Sequence, residues 1–137
     1  MPIEESYKRA SLEKLQKVEE YIKNALQEIL SQVDEEDLEY GVSQEATLSG
    51  LGELWEEAVE KNNYMEVVFT EIMEHHDGAY LKATFRNSTE DAYAERYISV
   101  WSSGRVEMSY ALFLSLNSVS VRVERVKGDT FRFFFKK

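Results

Sequence analysis

RVEMSYALFLSL, residues 105–116, puts Val106, Met108, Tyr110, Leu112 and Leu114 on one parity and Arg105, Glu107, Ser109, Ala111 and Ser115 on the other. Successive side chains of a strand point to opposite faces, so this stretch reads as a strand with one apolar and one wet face. The same rhythm surrounds it. Leu81, Ala83 and Phe85 alternate with Tyr80, Lys82, Thr84 and Arg86, and Val119, Val121 and Val123 alternate with Ser120, Arg122 and Glu124. From Tyr64 onward the period of two predicts six strands, at 64–74, 79–87, 92–101, 105–116, 118–126 and 130–136. The connections HHDG, NSTED, SSG, Asn117-Ser118 and KGD are short, which predicts an antiparallel meander. In the last strand Phe131, Phe133 and Phe135 share one face, while Phe134 points the other way with Arg132 and Lys136. Either that second face is covered or an exposed aromatic marks an interface, and Lys136 and Lys137 would guard the strand as an edge.

Before the strands the period is helical. Leu12, Leu15, Val18, Ile22, Leu26, Ile29 and Val33 recur at threes and fours, which predicts one long helix over 4–32. At roughly 1.5 Å per residue this helix is about 43 Å long, so part of it is expected to reach past the sheet. Leu51, Leu54, Trp55, Ala58 and Val59 define the apolar stripe of a second helix, with Glu53, Glu56, Glu57 and Glu60 facing away and Ser49 placed to cap it. Two helices followed by a meander make an α+β domain of two N-terminal helices, one of them long, on a five- to six-stranded antiparallel sheet. The expected division of a single domain spanning 1–137 is a helical acidic part, 1–63, and a sheet, 64–137. This element order is similar to helix-plus-curved-sheet folds such as the cystatin-like group.

The charge is distributed unevenly. Of the formal net charge of −10, residues 1–77 hold 20 acids and 6 bases, a net −14, and residues 78–137 hold 6 acids and 10 bases, a net +4. Such a chain gains little from phosphate counterion release, so nucleic acid is disfavoured as a partner. A basic partner is favoured. With no cysteine, disulfides, thiolate metal sites and cysteine nucleophiles are excluded. A polar first segment and the lack of a long apolar run predict a cytoplasmic protein with no membrane association.

MEHHDGAY, residues 73–80, contains both histidines. Asp77-Gly78 between alternating runs is a hairpin signal, and neighbouring strand residues point apart, so His75 and His76 are not expected to share a metal. The acidic run Asp34, Glu35, Glu36 and Asp37 lacks the glycine and the ligand alternation of an EF-hand loop. Gly50-x-Gly52 precedes a helix but lacks the third glycine and the lysine of phosphate-binding loops. No enzymatic template is met, and no catalytic residue, metal or cofactor is expected. The bases of the sheet, among them Arg96, Arg105, Arg122, Arg125, Lys127 and Arg132, are interspersed with Asp91, Glu95, Glu107 and Glu124, which predicts cross-strand ion pairs.

Two functions from different classes follow. The first is a small acidic interaction protein of the inhibitor, immunity or adaptor type. It presents Asp34, Glu35, Glu36, Asp37, Glu53, Glu56, Glu57 and Glu60 to a basic protein surface. The second is a small-molecule pocket, with or without weak catalysis, lined by Trp55, Tyr93, Tyr97, Trp101 and Tyr110 between helices and sheet. Homo-oligomerisation through the long helix or the last strand is compatible with both.

Overall fold

The computed structural model of the chain describes residues 2–62 and 64–137. It is an α+β fold whose sheet has seven antiparallel strands among the described residues, one more than the upper end of the expected range. The long helix α1, Pro2–Ser31, is followed by a single turn α2, Glu35–Leu38, and by a strand β1, Val42–Thr47. Helix α3, Leu51–Trp55, continues into a π-helical turn, Glu56–Glu60. The meander then runs β2 Glu66–His75, β3 Gly78–Ser88, β4 Ala92–Trp101, β5 Val106–Leu116, β6 Val119–Lys127 and β7 Thr130–Lys136. In space the order is β1-β7-β6-β5-β4-β3-β2.

The additional strand comes from the part of the chain expected to be helical and acidic. β1 lies antiparallel against β7, with Val42 opposite Phe135 and Thr47 opposite Thr130. β7 is therefore an inner strand, and the edges are β1 and β2. Lys136 and Lys137 guard no edge, and Phe134 stands half-open on the outer face opposite Arg122.

α1 crosses the inner face of the sheet from β3 to β1. Ser11 meets Asn87 of β3, Lys23 reaches Asp91 in the β3–β4 turn, and Gln32 meets Gln44 of β1. The expected stripe is the buried one: Leu15, Val18, Ile22 and Leu26 are fully enclosed. Residues 4–10, before Ser11, are all exposed, so the helix does run past the sheet. Beneath α1 and α3 the core is filled by Trp55, Leu51, Leu112, Val121, Val123, Phe131, Phe133 and Phe135. Trp55 meets Phe131 edge to face at 5.2 Å.

The helices do not cover the whole sheet. β2 to β5 are the longest strands, and beyond the π turn they continue as a four-stranded wing that no helix of the described residues overlies. Among the described residues no helix is long and apolar enough to cross a membrane.

Candidate functional site

The eight acids predicted to meet a partner form two patches. Asp34, Glu35, Glu36 and Asp37 surround α2, which is pinned to the body by buried Leu38 and by the Lys137 amide donating to the Leu38 carbonyl at 2.9 Å. All four acids are exposed, and Glu35 alone among them has a cation, Lys137 Nζ at 3.4 Å. Glu53, Glu56, Glu57 and Glu60 lie on α3 and its π turn, at the other end of β7, roughly 20 Å away by strand length. There Arg125 Nη1 lies 3.3 Å from Glu60 and 4.0 Å from Glu56, which also has Lys61 at 3.8 Å. Glu53 and Glu57 point outward with no ion pair among the described residues.

The arginines of the sheet's outer face are neutralised where they stand. Arg86 pairs with Glu95 at 3.2 Å, Arg105 with Glu107 at 3.2 Å, Arg122 with Glu124 at 2.7 Å and Arg132 with Glu45 at 2.7 Å. Such pairs stabilise a surface by only about 0–1 kcal/mol each. Their effect here is on the field. The sheet carries little net charge, and the excess negative charge belongs to the helical elements. A strip of paired arginines also offers no free cationic track for phosphates.

The five aromatics predicted to line one pocket are divided by the sheet. Trp55 is enclosed in the core, and Tyr110 lies on the inner face, 6.0 Å from the Arg96 guanidinium. Tyr93, Tyr97 and Trp101 lie on the outer face, because β4 sends its odd-numbered residues there. Tyr93 stacks on Phe113 at 4.8 Å, Arg86 covers Tyr93 at 4.6 Å, and Arg122 lies 5.7 Å from Phe113. This row borders an open groove of about 460 Å³ with Asp91, Leu114 and Phe134. Its aromatic faces are already occupied by the protein's own arginines.

One outer-face cluster has altered protonation chemistry. Glu95, only 7% exposed, accepts from Arg86 and from the Tyr97 hydroxyl at 3.1 Å. Burial, reinforced by the Glu95 carboxylate, pushes the Tyr97 phenol up to about 12. A phenol that resists ionisation in the folded chain stabilises the fold fully below its unfolded value of about 10. That contribution is lost as pH rises from there through about 12. Absorbance titration should show one tyrosine ionising well after the exposed ones, and Tyr97→Phe should remove that step and flatten alkaline destabilisation across the same window.

The histidine turn differs from its sequence reading by one position. His76 and Asp77 occupy the corners, His75 pairs with Gly78, and only Gly78 has positive φ, at 120°. The two-residue turn with both φ positive is at Asn117 (52°) and Ser118 (67°) instead. Because His76 sits in the turn, the strand parity rule does not separate the imidazoles, and their centroids are 3.9 Å apart. With Asp77 they bring three ligand atoms within 4.8 Å of one another. All three residues are exposed, and His75 Nδ1 already accepts the Asp77 amide at 3.2 Å. The cluster therefore lacks the buried supporting groups that orient metal ligands.

Gly50-x-Gly52 does hold an anion, one supplied by the chain itself. Asp129, in the β6–β7 turn, accepts from the Gly50 amide at 3.1 Å and the Gly52 amide at 2.8 Å. These amides hold the Asp129 carboxyl below the usual carboxylate range. The first residue of the cap is Gly50, and the expected side-chain cap from Ser49 is not made. Comparison with known proteins found no matching family model, no matching curated protein and no matching solved structure.

Proposed function

We propose that this chain is an acidic interaction protein that binds a basic protein surface through its helical side. The observation behind the reading is the location of the unbalanced charge. The arginines of the sheet's outer face are paired beside or within the sheet, while Asp34, Glu36, Asp37, Glu53 and Glu57 remain exposed without an ion pair among the described residues. Glu56 and Glu60 belong to the fold rather than to the docking surface, because Arg125 holds them. Two acidic patches at opposite ends of β7 suit an extended basic surface or two basic segments. Fields of this kind raise association rates and select against acidic competitors, and they weaken with salt.

The double variant Glu53→Lys/Glu57→Lys tests this. Both side chains stand in solvent, so thermal stability should stay within about 1 kcal/mol of the parent. Affinity for a basic partner should fall by about 10-fold or more, chiefly through the on-rate. Unchanged affinity in a folded double variant would remove the helical face from the account.

A further inference from the structure

The inner face of the wing carries apolar side chains that the chain leaves in solvent. The strand registers arrange them in rows. Ile72, Leu81, Val100 and Val106 face each other across β2, β3, β4 and β5, and the next row is Thr70, Ala83, Ile98 and Met108. Val67 and Phe85 continue the lattice towards Arg96 and Tyr110, where the π turn begins to cover it. Ile72 is 78% exposed, Val106 57%, Val67 56%, Met108 49%, Leu81 48% and Val100 42%. The exposed parts of these six side chains amount to roughly 600 Å², the upper end of what an ordinary monomer leaves open.

The two faces of the wing differ in a way that indicates what covers the inner one. On the outer face of the same strands Glu71, Lys82, Arg105 and Glu107 surround one exposed large apolar side chain, Phe69 opposite Thr84, whereas the two inner rows hold no charge at all. A basic partner therefore gains nothing from those rows. Two copies of a chain with a net charge of −10 can bring these two rows together with no acid inside them, the exposed Glu74, two residues beyond Ile72 on the same face of β2, standing at the rim. An area of roughly 600 Å² is also close to one partner's share of a standard interface, about 800 Å².

We infer that the wing's inner face is the dimer interface of this protein, closed by the same face of a second copy. The two sheets stack face to face about 10 Å apart, as inner faces do in a β-sandwich. A two-fold axis makes the contact isologous, so each copy's Ile72–Val106 row packs on the partner copy's lattice. This contact is separate from the acidic helical surface and responds oppositely to salt. Screening relieves the repulsion between two acidic chains, so the dimer tightens at high salt, where a basic partner would be released.

Sedimentation velocity over a concentration series at low and high salt tests the inference, using the full chain, Ile72→Glu and, as a control, Ser109→Glu on the outer face of β5. Ile72 is exposed in the single chain, so its variant should fold like the parent. The parent should be dimeric at micromolar concentration and tighter at high salt. Ile72→Glu should weaken dimerisation by about 100-fold or more, because the dyad buries a carboxylate from each copy, whereas Ser109→Glu should leave it unchanged. A parent that stays monomeric at every concentration overturns the inference and leaves the face to a different occupant. A dimer indifferent to Ile72→Glu, or lost equally with Ser109→Glu, overturns it by placing the contact elsewhere. Failure of the Glu53→Lys/Glu57→Lys prediction would bear on the helical surface alone.

Discussion

Arg96→Met is expected to be among the most destabilising single changes in this protein, at about 3 kcal/mol. Arg96 Nη2 lies 3.0 Å from the Val59 carbonyl, 2.9 Å from that of Glu60 and 2.9 Å from that of Asn62. These carbonyls close the π turn, where helical geometry leaves acceptors without partners and the helix dipole is negative. One nitrogen with two hydrogens serves three acceptors, so one hydrogen is shared. Bonds to a charged donor contribute about 1.5–3 kcal/mol, and removing the donor adds the cost of carbonyls left partly dry. The guanidinium also ties the π turn to β4 at the boundary between the covered sheet and the wing. Asn62, whose side chain bonds Ser11 Oγ at 2.7 Å and the Ala58 carbonyl at 2.9 Å, fixes the same junction. Chemical denaturation should show an unchanged slope and a lower midpoint for Arg96→Met. Arg96→Lys should fall between, since an ammonium keeps the charge without the planar fork. A loss below about 1 kcal/mol would mean that water replaces the guanidinium.

Gly52→Ala is expected to destabilise by about 2–3 kcal/mol although alanine is the better helix former by about 1 kcal/mol. A Cβ at this position would stand 2.4 Å from the Gly128 carbonyl oxygen and 2.7 Å from Asp129 Oδ1. The nearest obstacle is backbone, so relief requires moving the β6–β7 turn away from α3. That movement breaks the two amide bonds that Asp129 accepts. The Asp129 contribution is present above the ordinary carboxyl range and lost as pH falls through its lowered pKa, so the parent should show an acid-side loss of stability that Gly52→Ala lacks. Thermal unfolding of both proteins between neutral and acid pH checks the sign and the window together. Equal or greater stability in Gly52→Ala would show that the turn yields easily.

Patterns carried by a single element were legible in the sequence. The α1 stripe from Leu15 to Ile29 is the buried stripe, and the alternation from Tyr64 onward is the meander. What was not legible depends on a distant part of the chain. β1, VSQEAT, has only Val42 and Ala46 as apolar residues and is a strand because β7 offers it a backbone edge. The Gly50 and Gly52 amides are filled by Asp129, more than seventy residues away, which local spacing could not show. Residue type alone groups the five aromatics, whereas β4 parity puts Tyr93, Tyr97 and Trp101 on the face opposite Tyr110. Of the eight acids, composition gave no sign that Arg125 holds Glu56 and Glu60. Val106 and Met108 read as core by alternation, and only the placement of α3 leaves them outside it.

The most direct test of the proposed function is affinity capture of partners on the tagged chain from native lysate, at low and at high salt, quantified by mass spectrometry. One basic protein is expected, near stoichiometric at low salt and released at high salt, because the proposed docking charges are exposed and screened. A partner held equally at both salts, or one with an acidic surface, would contradict the proposed function.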